Sequence, residues 1–173
     1  MNDSLLARLE AVQQRIATAA QRSGRHAADV TLVAVTKTHP AEVVQAAYAV
    51  GLRDFGENRV EGLKERHTLG LDDVRWHMIG HVQSRKVKEM LALANVVHSV
   101  DRLSVAEEIS KRLLAPSLEN PLLASPVMDI LLQVNVSGEA SKGGWHLTAP
   151  QAWDGFVAEV AQVAALPCVR VIT

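Results

Sequence analysis

The sequence predicts an α/β fold of parallel strands, a TIM-type (β/α)8 barrel that is incomplete, with about six of its eight strands present. Short apolar segments alternate with segments of helical periodicity, and the connections are too short to hold a separate domain, which favours right-handed crossovers. The chain also stops at 173 residues, whereas a complete barrel takes about 250. We therefore expect one barrel domain over residues 1–173 that lacks its C-terminal strands, with an open doubly wound sheet as the alternative.

Helical periodicity defines the predicted helices. Apolar residues recur at helical spacing from Leu5 to Ala19, which predicts an N-terminal amphipathic helix that stops near Gly24. His39 can cap the next helix, and Pro40 can occupy its first position, where proline fits well. Further helices are predicted over 58–67, 83–93, 103–113 and 150–165, and the proline-rich residues 115–126 are predicted to form a loop.

Six segments rich in β-branched and apolar residues are predicted to be strands. The first begins at Val30 and has apolar residues at nearly every position up to Lys37, which is typical of a strand buried on both faces of a parallel sheet. The others are Arg53 to Phe55, Arg75 to Ile79, Asn95 to Ser99, Met128 to Val136 and Val169 to Ile172. Parallel strands of this kind bring their carboxyl ends to one edge of the sheet, where ligands bind.

A lysine at the carboxyl end of the first strand is the best indication of function. Lys37 follows the apolar run directly, three residues before Pro40. An amine at that edge of the sheet can attack a carbonyl carbon when its surroundings favour the uncharged form. The alternative is a solvated lysine at the start of a loop, and position alone does not separate the two.

Composition and charge limit the class of protein. A hydrophobic content of 48% in 173 residues fits a globular domain with its own core. The formal net charge of -1 gives no electrostatic case for nucleic acid or an anionic membrane as a partner. The single cysteine, Cys168, excludes an intramolecular disulfide. No segment has the pattern of a signal peptide or a membrane span, so we expect a cytoplasmic protein.

Polar side chains also follow the other predicted strands, in Phe55–Asn58, Trp76–Ser84, His98–Arg102 and Gln133–Ser137. Taken singly, each has a purely structural explanation: Ser99 or Asp101 can cap a helix, and Glu57 can pair with a surface arginine. Their convergence on one edge of the sheet favours a binding site. No metal site is predicted, because His77 and His81 flank a strand end and a glycine turn and do not share a helix face.

Five motifs occur along the chain in a fixed order: Ala34–Thr38, Phe55–Asn58, Trp76–Gln83, His98–Asp101, and Gln133–Asn135 followed by Gly138–Gly144. Together they resemble the YggS/PROSC family of pyridoxal phosphate homeostasis proteins, and the resemblance extends from the N-terminal helix to the last residue. It implies the barrel fold of alanine racemase, with pyridoxal 5'-phosphate (PLP) held covalently as a Schiff base on Lys37. It also implies that Asn58, Ile79, Gly80 and His81 lie near the cofactor ring.

The same resemblance places Asn135 at the barrel mouth and implies a monomeric protein that holds PLP without turnover of its own. A PLP-dependent amino-acid racemase is the alternative, but it needs a second base, and the only tyrosine, Tyr48, falls inside a predicted helix. A Schiff-base aldolase acting through Lys37 is a further alternative whose motifs do not match.

Two departures from the family pattern bear on binding. Gly143, Gly144 and Trp145 replace the small polar and aliphatic residues expected after Lys142. The resemblance also implies a phosphate-binding loop and an arginine facing the pyridine nitrogen on strands seven and eight, which this sequence lacks. We therefore expect weaker retention of PLP than in a full-length relative, and open sheet edges that a second copy or a missing segment could cover.

Overall fold

The computed structural model describes residues 2–115 and 127–173. From residue 116 onward, the predicted proline-rich loop lies outside the described residues. The α-helices within the described ranges are α1 (Asn2–Arg22), α2 (Ala41–Ala49), α3 (Val60–His67), α4 (Val87–Leu91), α5 (Leu103–Leu114) and α6 (Ala152–Ala164), and short 3-10 turns cover Ala27–Asp29 and Ser84–Lys86. Each predicted helix is therefore present, although the segment before α4 begins as a 3-10 turn.

Six of the described strands form a parallel sheet whose order follows the chain. Its members are β1 (Ala34–Val35), β2 (Asp54–Glu57), β3 (Arg75–Met78), β4 (Val96–Val100), β5 (Met128–Leu132) and β8 (Val169–Val171), in the order β1-β2-β3-β4-β5-β8. A doubly wound sheet would reverse its strand order at a switch point, and this sheet does not. The barrel prediction is confirmed, and among the described strands the barrel is not closed, since β1 and β8 form the two edges.

The hydrophobic core lies between this sheet and the helices. Alternate side chains of each strand point to it, so that Phe55 of β2, Met78 of β3 and Ile130 of β5 are fully buried there. Leu63 of α3 and Ile109 of α5 meet them from the helix layer. Each fully buried side chain of this size contributes about 1.5–3 kcal/mol to stability, and together they fix the sheet that carries the strand ends.

The opposite face of the sheet, which we call the inner face, carries polar side chains. Asp54 and His77 alternate with core residues on β2 and β3, and His77 donates or accepts hydrogen bonds on both ring nitrogens, at 2.8 Å to Asp54 Oδ1 and 2.8 Å to His98 Nε2. Asp129 forms a second group of hydrogen bonds on this face: it accepts from Arg75 at 3.1 Å and from Arg170 at 2.6 Å.

The first strand differs from its prediction. It covers only two residues, and Val30 and Val35 are 38% and 46% exposed, so the run is not buried on both faces. The physical reason is its place at the edge of the sheet, where β2 is its only neighbour among the described strands. Pro40 also lies one position earlier than predicted, as the residue that precedes α2, and neither it nor His39 caps the helix with a side chain.

The predicted fifth strand divides into two. It breaks at Gln133, and β6 (Val134–Asn135) leaves the main sheet to pair in parallel with β7 (Trp145–His146), a pair that the sequence did not predict. Gly144 makes this return possible with a φ of +117°, and a Cβ there would lie 2.7 Å from the Gln133 carbonyl oxygen. Only glycine combines that backbone conformation with so close an approach.

Candidate functional site

Lys37 lies where the sequence placed it, two residues beyond β1 at the carboxyl edge of the sheet. Its side chain is exposed, and within residues 2–115 and 127–173 it makes no hydrogen bond or ion pair. It lines a cleft of about 720 Å³ between the β1–α2 connection and α3, and Asn58 lines the same cleft. This volume falls in the range of sites for cofactor-sized molecules, so a free primary amine faces a space that such a molecule could enter.

A buried ion pair contacts Thr36 and His39, the residues on either side of the Lys37–Thr38 segment. Glu57, the last residue of β2, accepts through Oε1 from Arg66 Nε at 3.0 Å and from the Thr36 hydroxyl at 2.8 Å. The side chains of Arg66 and Glu57 are only 9% and 4% exposed. Arg66 also donates through Nη2 to the backbone carbonyls of Thr36, at 3.2 Å, and His39, at 2.6 Å. We call Thr36, Glu57 and Arg66 the buried clamp.

The segment held by the buried clamp is strained. Thr38 has a φ of +66°, a left-handed conformation that β-branched residues rarely adopt. The turn closes with a hydrogen bond of 3.1 Å from the His39 amide to the Thr36 carbonyl. Such conformations persist only where surrounding contacts determine them, and here the contacts come from Arg66.

The connections after β2 and β3 are packed against each other and against the end of β4. A Cβ at Gly80 would lie 2.1 Å from the Asn58 carbonyl oxygen, so glycine is needed for the two backbones to approach. The Ser99 hydroxyl donates to the Gly80 carbonyl at 2.5 Å, and the Ile79 amide donates to the Glu57 carbonyl at 2.9 Å. Four residues that the resemblance implied, Asn58, Ile79, Gly80 and His81, thus lie on adjoining connections.

His81 contacts the next connection along the sheet. Its Nδ1 lies 2.9 Å from Asp101 Oδ2, and Asp101 is held in turn by Arg102 at 2.5 Å. His81 and Asn58 both line a smaller cleft of about 290 Å³. Asp101 therefore orients the imidazole ring and does not serve to cap α5, which begins without a side-chain cap.

Asn135 has a different setting from the other implied residues. Its amide nitrogen donates to the carbonyls of Glu139 and Lys142, at 2.9 and 3.1 Å, and its Oδ1 accepts from the Gly138 amide and the Ser137 hydroxyl, at 3.0 and 3.2 Å. The buried side chain thereby organises the loop between β6 and β7. A role of Asn135 toward a cofactor stays a prediction.

The surroundings of the two inner-face histidines favour the neutral form of each ring. Burial lowers the pKa of His77, against the opposing effect of its hydrogen bond to Asp54. Burial also lowers the pKa of His98, and the neighbouring His77 and Arg75 lower it further. With Asp54 accepting from Nε2–H of His77, the remaining His77 nitrogen accepts from His98 Nε2–H, which is a consistent pattern for two uncharged rings.

Sequence reasoning missed the partner of Glu57. A surface arginine was one expected partner, whereas Arg66 is buried on α3. Val60, Leu63 and Arg66 recur at a spacing of three, and all three are buried. That spacing places Arg66 on the core face of the helix, and it was the signal in the sequence that could have identified a buried ion pair.

Two absences hold for the part of the chain that the structure describes. Residues 2–115 and 127–173 contain no group of three or more histidine, cysteine, aspartate or glutamate side chains placed to hold a metal ion. Across the same ranges, every helix is either too short or too polar to cross a lipid bilayer.

Comparison with known proteins identifies the class to which this fold and site belong. The family model for the alanine racemase N-terminal domain matches residues 7–173, and the chain belongs to that family. Within it, the chain is similar to the pyridoxal phosphate homeostasis proteins of Pseudomonas aeruginosa, at 42% identity over 156 residues (90% of this chain), and of Escherichia coli, at 36% over 167 residues (94% of this chain and 68% of the relative). The resemblance to the YggS/PROSC family is confirmed.

A solved structure supports the same assignment. PipY of Synechococcus elongatus, in the form with PLP bound, superposes with a TM-score of 0.65 at 31% identity, covering 83% of this chain and 63% of PipY. The chain likewise spans 63% of the length of the P. aeruginosa relative.

Proposed function

We propose that this chain binds PLP as a Schiff base on Lys37 and serves PLP homeostasis without a turnover of its own. The observation that carries the proposal is Lys37 itself: an exposed amine without a partner among the described residues, on a cleft of about 720 Å³ at the carboxyl edge of a barrel sheet. PLP, when bound, supplies an aldehyde that condenses with a primary amine and releases water. PipY, a relative at 31% identity, is known with PLP bound.

The residues around Lys37 fit this role. Asn58 shares the larger cleft with Lys37, and His81 shares the smaller cleft with Asn58, so Asn58 lies between the two clefts. The connection formed by Ile79 and Gly80 packs against Asn58 without a side chain at Gly80. In this proposal these residues surround the ring of the cofactor. Asn135 contributes by ordering the loop between β6 and β7 at the barrel mouth.

The position of the tyrosine supports a role without catalysis. A racemase that uses Lys37 as one base needs a second base on the opposite face of the substrate. The Tyr48 hydroxyl donates to Asp73 Oδ1 at 2.6 Å, and the Tyr48 ring lies 4.0 Å from the Arg53 guanidinium. Both partners lie at the amino-terminal end of the strands, because Arg53 precedes β2 directly. Tyr48 is therefore held at the end of the sheet remote from Lys37.

The test is a spectral titration of the chain and of Lys37→Ala with PLP, followed by borohydride reduction and peptide mapping. We expect an imine absorbance band in the unaltered chain, a reduced adduct on Lys37, and neither in the variant. Lys111→Ala, which removes an exposed lysine from the last turn of α5, is the matched control and should behave like the unaltered chain. An adduct spread over several lysines, or one that survives in Lys37→Ala, would contradict the proposal.

A further inference from the structure

We propose that Arg66 is a positioning residue for Lys37 and acts through the backbone of residues 36–39. This inference rests on the proposed function of Lys37. Arg66 does not hydrogen-bond to the Lys37 amine. It donates to the carbonyl of Thr36, which precedes Lys37, and to the carbonyl of His39, two residues after it. The two hydrogen bonds therefore bracket Lys37 on both sides.

One guanidinium nitrogen makes both of these contacts. Arg66 Nη2 lies 3.2 Å from the Thr36 oxygen and 2.6 Å from the His39 oxygen, while Nε is committed to Glu57. A planar guanidinium offers several donors in a fixed arrangement, whereas a lysine ammonium is a compact charge that cannot reproduce it. The fixed separation of Nε and Nη2, rather than the charge alone, therefore sets the position of the two carbonyls relative to the Glu57 carboxylate.

Glu57 and the helix above it fix the guanidinium in turn. Glu57 is held by β2, and its Oε1 accepts from both Arg66 and the Thr36 hydroxyl. Gly62 of α3 leaves room for the carboxylate, since a Cβ there would lie 2.9 Å from Glu57 Oε2. Arg66 thus has little freedom, because Leu63 on the same face of α3 anchors the helix in the core.

The strain at Thr38 links the hydrogen bonds of Arg66 to the direction of the Lys37 side chain. The left-handed φ of +66° is costly for threonine, so the segment would relax toward an ordinary conformation without the bonds from Arg66. Relaxation at Thr38 changes the direction of the neighbouring Lys37 side chain. A displacement of about 1 Å at a reacting group can reduce a rate by about 100-fold.

The experiment compares four chains: the unaltered protein, Arg66→Lys, Glu57→Gln and Arg53→Lys. Arg66→Lys keeps the charge and loses the planar donor, while Glu57→Gln keeps an oxygen acceptor and loses the charge. Arg53→Lys is the matched control, because Arg53 also donates to one carboxylate and two backbone carbonyls, but at the other end of β2. Circular dichroism first establishes that each chain is folded.

Two quantities are then measured. The first is the hydrogen exchange rate of the His39 amide in the PLP-free protein, which reports on the turn that closes on Thr36. The second is the rate at which added PLP forms a borohydride-reducible adduct on Lys37. For Arg66→Lys we expect His39 exchange to rise, and adduct formation to fall, by about tenfold or more. Glu57→Gln should change both by less than Arg66→Lys does, and Arg53→Lys should leave both within about twofold.

The outcomes separate this inference from the proposed function. If the unaltered chain forms its adduct on Lys37 and Arg66→Lys forms it equally fast, Arg66 does not position Lys37, whatever the exchange rate shows. If the unaltered chain forms no adduct on Lys37, the proposed function fails, and the positioning role fails with it. If Arg66→Lys does not fold, Gly62→Ala replaces it; this variant displaces the Glu57 carboxylate and should shift both rates in the same direction, and rates equal to those of the unaltered chain would overturn the inference.

Discussion

Two arginines make the same set of hydrogen bonds at opposite ends of β2. Arg66 donates to Glu57 and to the carbonyls of Thr36 and His39 at the carboxyl end. Arg53 donates to Asp73 at 2.7 Å and to the carbonyls of Tyr48 and Leu52, at 2.9 and 2.8 Å, at the amino end. The side chains of the first ion pair are 9% and 4% exposed, and those of the second are 39% and 58% exposed.

The difference in burial indicates different roles for the two arginines. Solvent competes for the bonds of Arg53 and Asp73, so their pair ties the end of α2 to the sheet only loosely. The bonds of Arg66 are protected from water and determine the backbone that presents Lys37. Barrels generally bind ligands at the carboxyl ends of their strands and use the other end for stability, and in this chain the more deeply buried of the two ion pairs lies at the carboxyl end.

The largest expected effect on the free energy of unfolding follows from replacing each arginine in turn by an uncharged residue. Arg66→Met leaves the Glu57 carboxylate buried without its partner, and breaking a buried ion pair in this way costs about 3–5 kcal/mol in the free energy of unfolding. Arg53→Met should cost far less, because water can solvate Asp73. Urea denaturation of both variants measures the two losses. Equal losses would show that burial does not distinguish the two ends.

A smaller effect on stability is expected from overpacking the connections at the carboxyl end of the sheet. Gly80→Ala places a Cβ 2.1 Å from the Asn58 carbonyl oxygen, and overpacking of this kind costs about 1–3 kcal/mol. Gly155→Ala is the matched control, since a Cβ at this position in α6 would have no neighbour within 4 Å. Alanine there should stabilise the helix by up to about 1 kcal/mol. Thermal unfolding of the two variants should therefore shift in opposite directions, and a neutral Gly80→Ala would contradict the close packing at this edge.

The sequence predicted the order of the helices and strands better than it predicted the contacts between side chains distant in the chain. Element order and the position of Lys37 followed from periodicity and from one apolar run, because each is encoded in residues close together in the chain. The buried clamp was not predicted, because Arg66 meets Thr36 and His39 across about 30 and 27 positions of the chain, and no local pattern records such contacts. From the sequence, only the burial of Arg66 on α3 could have been predicted, because Arg66 lies three residues after Leu63.

The pair of β6 and β7 was missed for a related reason. The apolar run from Met128 to Val136 has the composition of one strand, and nothing within it marks the break at Gln133. The break depends on Gly144, eleven residues further on, whose backbone conformation allows Trp145 to donate to the Gln133 carbonyl at 3.0 Å. Similarly, the side-chain amide of Asn135 is recognisable as polar, but the sequence does not show that its bonds are used within its own loop.

The smallest expected effect concerns pH and arises at the two histidines of the inner face. The pKa values of His77 and His98 are lowered by burial, so the folded protein binds fewer protons at these rings than the unfolded chain does. Their contribution to stability is complete above the unfolded histidine pKa of about 6.5, and it is lost as the pH falls below that value. Protonation of His77 would also set two N–H groups against each other at the 2.8 Å contact with His98.

We therefore expect the free energy of unfolding to decrease between about pH 6.5 and pH 5, above the range in which most carboxylates titrate. A variant carrying His77→Gln and His98→Gln should show a smaller decrease over the same interval, because its inner face has no ring to protonate. His67→Gln, which alters an exposed histidine that contacts the Leu93 carbonyl at 2.8 Å, is the control and should keep the original pH dependence. Parallel curves for the double variant and the unaltered chain would show that the two inner-face rings are not the source of the acid sensitivity.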